Sequence, residues 1–191
     1  MMLYNSRTIH DRFEAWKGTD KISKSWSEYM SKQNRDTIKM YERLNWRLTA
    51  ISYDSKLPVK GVKWKDRILT YNNALILMNK KMNLAVKLDE SNLIVADIDD
   101  NKIPSGLMPY VDETISVITR SSHFHIYFNY DEPYDRNDLN KLSAKLKIPK
   151  TTWRGLPNKS QYTLVPLSCV DKKYYEFISD NNLMDISELR L

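Results

Sequence analysis

Residues 93–100 read LIVADIDD, an apolar run that ends in three aspartates within four positions. Asp97 and Asp99 are two apart, so on a strand both carboxylates leave the same face of the sheet. Fixed side by side, they repel and raise one another's pKa unless a cation lies between them. Mg²⁺ or Mn²⁺ relieves that repulsion while keeping positions for water and phosphate oxygens. Such a pair suits two-metal phosphoryl transfer, in which ions activate a hydroxyl and neutralise a leaving pyrophosphate. Aspartates also mark strand ends, and DIDDNKIPSG has the composition of a turn, so the pair alone leaves both readings open.

A second constellation lies in TRSSHFHIYF, residues 119–128. On a strand His123, His125 and Tyr127 share one face and Phe124, Ile126 and Phe128 the other, which gives a polar front and an apolar back. A histidine on that front can donate to a triphosphate, and Ser121 or Ser122 can add hydrogen bonds. Farther along, WRGLPNKSQYTLVPLS holds Arg154 and Lys159, able to neutralise phosphates or to sit in a solvated connection. Lys56, Lys60 and Lys63 with Trp64 form a basic stretch carrying an aromatic, a pattern that serves single-stranded nucleic acid by charge and stacking.

The elements that would position these groups follow from periodicity. Residues 6–44 read as helical through Ile9, Phe13 and Trp16 and then Trp26, Tyr29 and Met30, with a break at Gly18-Thr19-Asp20. Trp16, Trp26 and Tyr29 read as core. WRLTAISYD is strand-like, SKLPVKGVKWK is a loop, and TYNNALILMNKK is a helix that Thr70 caps. NLAVKL and NLIVADID read as a hairpin across Asp89, Glu90 and Ser91. TISVITR and HFHIYFNY form a second strand pair. A helix with Leu139, Leu142 and Leu146 inward, the strand YTLVPL and a helical tail around KKYYEFI complete the chain. The class is α+β, a mainly antiparallel sheet backed by helices, divided into an N-terminal helical segment (1–44) and a main domain (45–191).

At 191 residues, with 41% hydrophobic and 28% charged side chains, the chain is long enough to bury a substantial core and is not of disordered composition. Its formal charge of +6 favours a polyanionic partner. One cysteine, Cys169, excludes an intrachain disulfide and points to a reducing, cytoplasmic compartment. No apolar run approaches the roughly 20 residues that span a bilayer, and MMLYNSRTIHDRF lacks the apolar stretch of a secretory signal. With only 4 glycines, phosphate-binding loops built on glycine-rich turns are disfavoured.

Over about residues 46–168 the order of these pieces resembles the catalytic domain of the archaeo-eukaryotic primase superfamily, in particular the primase-polymerase domains of plasmids and viruses. SKLPVKGVKW is similar to that family's lysine-proline-tryptophan entry segment. MNLAVKLDESNLIVADID resembles its strand pair ending in Asp-x-Asp, TRSSHFHIYF its Thr-x-Ser…His-x-Tyr-Phe motif, and YTLVPLS its closing strand. The resemblance implies an RRM-like catalytic sheet, Mg²⁺ or Mn²⁺, nucleoside triphosphates and a single-stranded DNA template. A separate helicase or replication protein is a further implied partner.

By position, Asp97 and Asp99 would hold metal, and His125 with Ser121 the incoming phosphates. The family's two glycines are replaced by Ser122 and His123. Its third carboxylate, just before the closing strand, is replaced by Thr152, Trp153 and Arg154, so metal affinity is expected to be lower unless another acid such as Asp100 substitutes.

Two other readings use the same residues. His123-Phe124-His125 is a His-hydrophobic-His pattern like that of rolling-circle replication endonucleases, with Tyr174-Tyr175 as the nucleophile on a following helix. A primase-fold protein that binds DNA without catalysis is the other. The position of Asp-x-Asp ahead of the histidines favours primer or DNA synthesis.

Overall fold

A computed structural model of the chain describes residues 20–61, 63–65, 67–148, 151–156 and 159–189, the first eight of them as backbone only. The helix expected around Ile9, Phe13 and Trp16, the break at Gly18-Thr19 and the side chain of Trp26 lie outside the described residues. The protein is α+β with mainly antiparallel pairing.

Helix α1 (Asp20–Arg43) leads into β1 (Leu48–Ile51), α2 (Tyr71–Asn79), β2 (Asn83–Lys87), β3 (Leu93–Ile98), β4 (Ser116–Ile118) and β5 (Phe124–Asn129). Then come α3 (Arg136–Leu146), β6 (Thr151–Arg154), β7 (Tyr162–Leu164), the pair β8 (Cys169–Val170) and β9 (Lys173–Tyr174), β10 (Glu176–Ser179) and β11 (Met184–Asp185). One sheet runs β1-β2-β7, and a larger one runs β10-β4-β5-β3-β6, with β11 parallel to β5.

Local chemistry accounts for the helix boundaries. Thr70 accepts from the Asn73 amide at the start of α2, as expected of an N-cap. Asp135 and Asp138 form a reciprocal capping box at the start of α3, whose Leu139, Leu142 and Leu146 are buried. The buried stripe of α1 is Asn34, Thr37, Ile38 and Tyr41, at helical spacing. Tyr29 falls outside that stripe and is exposed, so it is not core.

The expected hairpin of β2 and β3 is not formed. β2 is flanked by β1 and β7, whereas β3 is flanked by β5 and β6. Every residue of both strands is buried, and neither is an edge strand of its sheet. The link Asp89–Ser91 is a turn of 3-10 helix, and Asn92 at φ 51 carries the chain from one sheet to the other. The helical tail around KKYYEFI is likewise replaced by β9 and β10. Its aromatic and branched residues suit a pleated surface, and β10 closes the free edge of β4.

The alternation of β3 and β5 divides the interior in two. Val95 and Tyr127 face the smaller sheet, where Trp46 stacks between Tyr41 and Tyr127 at ring separations of 5.0 and 5.1 Å. Ile94, Ala96, Ile98, Ile126 and Phe128 face the other way, onto α3. Asp97 and His125 belong to the front series, so the strand pattern that builds the core also delivers them to the gap between the sheets.

Candidate active site

β3 and β5 are antiparallel with Asp97 opposite His125. Cross-strand partners share a face, and the His125 Nε2 lies 3.3 Å from the Asp97 Oδ1. One step outward the pattern repeats: Asp99, just beyond β3, has Oδ1 at 3.5 Å from the His123 Nδ1. The two pairs differ in environment. Asp97 is 3% exposed and His125 7%, while the Asp99 side chain is 68% exposed.

β6 adds a cation on the opposite side of β3. Arg154 is paired in register with Val95 on the front face; its Nε donates to the Asp97 Oδ2 at 2.6 Å, and its Nη2 is ion-paired with the same oxygen at 2.5 Å. The residue that follows fixes this placement. Gly155 adopts φ +92, and a Cβ there would lie 1.9 Å from the Leu93 carbonyl oxygen, so only glycine permits β6 to lie this close to β3. Its amide is satisfied by the Gln161 Oε1 at 2.8 Å.

Burial alone would raise the Asp97 pKa. The hydrogen bond and charge of His125, together with the Arg154 guanidinium, outweigh that cost and hold the carboxyl below its ordinary value. Thr163 on β7 places its hydroxyl 3.2 Å from the His125 Nδ1. The ring is thus held at both ends, by Asp97 at Nε2 and by Thr163 at Nδ1.

These side chains line a cavity of about 360 Å³ that also receives Lys56, Trp64, Ser121 and Tyr175. Lys56 is pushed down from its ordinary pKa by burial and then by Arg120 and Arg154, an accumulation of positive charge that an anion would relieve. The loop carrying Lys56 and Trp64 is anchored from beneath. Trp64 meets Tyr162 edge-on at 4.8 Å, the Tyr162 hydroxyl donates to the Lys56 carbonyl at 3.0 Å, and the buried Lys87 Nζ donates to the Lys65 carbonyl at 2.7 Å.

The structure thus brings together Asp97, Asp99, His123, His125, Ser121, Arg154, Lys56 and Trp64. Ser122, at φ 60, closes the turn before β5 and is not part of the lining, while Lys60 and Lys63 are exposed on the outer part of their loop. Thr163 and Gln161 are the additions that sequence reading missed, while Tyr175 was offered there only as a nucleophile. Alternation in YTLVPL places Thr163 and Val165 on one face, the signal that could have found the first; nothing local marks Gln161. Arg154 stands on a strand, not in the connection that its polar neighbours imply.

In the tyrosine pair of the nicking reading, Tyr174 ends β9 and Tyr175 lies between β9 and β10, so neither is on a helix. Tyr175 does line the cavity, but burial pushes its phenol up to about 12, away from the ionised form that a nucleophile uses. Among the described residues no three His, Cys, Asp or Glu side chains are placed to share an ion. What the site offers a divalent cation is Asp97 and Asp99, which fits an ion that completes its shell with water and phosphate oxygens.

No helix among the described residues is long and apolar enough to cross a membrane. No curated protein matches the chain. A family model does: the bifunctional DNA primase/polymerase N-terminal domain, over residues 37–189.

Proposed function

We propose that this chain, which belongs to the family of bifunctional DNA primase/polymerase N-terminal domains, joins nucleotides in the cavity between its two sheets, making primers or extending DNA. The family's general activity is nucleotidyl transfer in DNA replication. The observation that carries the finer reading is the convergence of Asp97, Asp99 and His125 with Lys56 and Arg154 on one cavity. Acceptors for a cation and donors for a polyphosphate there stand side by side.

Mg²⁺ or Mn²⁺, when bound by Asp97 and Asp99, supplies a lowered pKa for the attacking hydroxyl and neutralises charge on the pyrophosphate that leaves. The chain's residues do the rest. His125, oriented by Thr163, turns the Nε2 now held by Asp97 to the phosphate chain once an ion takes that carboxylate, and Lys56 and Arg154 offset its negative charge. Ser121 adds a hydroxyl donor at the cavity wall. Trp64, with Lys60 and Lys63 beyond it, offers a stacking face and positive charge to a single-stranded DNA template. The resemblance of residues 46–168 to plasmid and viral primase-polymerases supports replication of such an element, with a separate helicase or replication protein as partner.

The test is incorporation of labelled deoxynucleotide on primed and unprimed single-stranded DNA with Mn²⁺ or Mg²⁺, comparing the native chain with Asp97→Ala. Incorporation that depends on the ion and disappears in the variant is expected. Incorporation unaffected by the substitution would remove Asp97 from the mechanism.

A further inference from the structure

Both oxygens of the buried Asp97 carboxylate are engaged before any ligand arrives: Oδ1 by His125, Oδ2 by two nitrogens of Arg154. A divalent ion arriving alone must therefore share the better-held of the two carboxylates with a guanidinium whose charge opposes it, or displace that cation from its partner. Among the described residues no third acid joins Asp97 and Asp99 in a group that could hold an ion. The register neighbour of Asp97 on β6 is Thr152, an exposed hydroxyl on the same face.

A triphosphate changes the balance, because it offers Arg154 an anion suited to its fork. The Arg154 side chain is 43% exposed and stands on the edge strand of the larger sheet, so it can turn toward the cavity without unpacking either core. Lys56 and Ser121 line that same cavity.

We propose that Arg154 is a latch on Asp97, released when the phosphates of an incoming nucleotide take the guanidinium, so that the divalent ion is accepted together with the nucleotide and not before it. This rests on the reading that the cavity takes a nucleoside triphosphate. Ion and nucleotide affinities are then coupled, and the coupling is reciprocal. Arg154 acts on the ion through Asp97 and is in that respect a positioning residue, distinct from the groups that ligate.

The experiment titrates Mn²⁺ by electron paramagnetic resonance into the full chain. It is run alone and with a saturating non-hydrolysable deoxynucleoside triphosphate analogue, after subtracting the Mn²⁺ that the analogue binds in solution. For the native chain the analogue should tighten Mn²⁺ binding by about tenfold or more. Arg154→Gln, with Mn²⁺ alone, should bind it about tenfold tighter than the native chain and lose most of the dependence on analogue.

Equal Mn²⁺ affinity in the native chain with and without bound analogue overturns the latch, even if the variant fails to fold. So does a folded Arg154→Gln that binds Mn²⁺ alone no better than the native chain does. An analogue that does not bind the native chain at all, measured separately by competition with a fluorescent nucleotide, overturns the nucleotide reading itself and the latch with it.

Discussion

Asp97 and His125 are register partners across β3 and β5, and their Oδ1 and Nε2 atoms lie 3.3 Å apart. Both are nearly closed to solvent and face one another there, so the two act as a unit. Asp97→Asn, which keeps shape and removes charge, should lower nucleotide incorporation by about 10²-fold or more, and His125→Gln by a similar factor. The double variant should be little worse than the poorer single one, because groups that work together lose their effect together. Independent, multiplying losses in steady-state kinetics would show that the contact is incidental.

Thr163 contributes through His125. Thr163→Val keeps the volume and removes only the hydroxyl at 3.2 Å from Nδ1. One hydrogen bond of about 1 kcal/mol corresponds to roughly a three- to tenfold fall in kcat, with unchanged thermal stability and recovery in Thr163→Ser. A fall in stability equal to the fall in rate would assign Thr163 a packing role.

Gly155→Ala should be the most damaging conservative change near the site. The added carbon would meet the Leu93 carbonyl oxygen at 1.9 Å, and the φ of +92 is itself unfavourable for alanine. We expect a loss of about 2–4 kcal/mol in urea unfolding. Activity should drop even at temperatures where the variant is folded, since β6 carries Arg154. A midpoint within experimental error of the native one would contradict the close approach of β6 to β3.

Alternation in HFHIYF was sufficient to place His125 and Tyr127 on the front face and Phe124, Ile126 and Phe128 on the back, because period-two patterning survives wherever one face is apolar and the other polar. β2 and β3 carry no such contrast. Both are buried on every side, so nothing local told which strands they would pair with, and the short link between them imitated a hairpin. Arg154 was legible as a phosphate-neutralising cation but not as a partner of Asp97, since that contact joins residues 57 positions apart. Tyr175 reaches the cavity by the same long-range closure.

The Tyr175 phenol supplies a prediction in alkali. Burial raises its pKa from 10.0 to about 12, so the folded state favours the protonated form. That contribution is complete below pH 10, where the unfolded chain is protonated as well, and is lost as the pH rises from 10 to about 12. Tyr175→Phe retains the ring and cannot ionise. Its stability, measured by urea unfolding across this window, should decline less steeply than that of the native chain. Parallel curves would mean that the hydroxyl is fully hydrated.

Lys87 is 1% exposed, ion-paired with Glu90, and its Nζ donates to the Lys65 carbonyl at 2.7 Å. It therefore ties the loop that holds Lys56 and Trp64 to the middle of the smaller sheet. Glu90 retains access to water, so Lys87→Met should cost less than a fully buried pair, about 1–2 kcal/mol. The larger effect should be local: with the Lys65 carbonyl released, the loop opens more often without global unfolding. Limited trypsin digestion reports such openings, and cleavage after Lys60, Lys63 or Lys65 should accelerate several-fold relative to cuts elsewhere in the chain. Uniform acceleration at all sites would indicate that Lys87 supports global stability and leaves the loop's position to Trp64 and Tyr162.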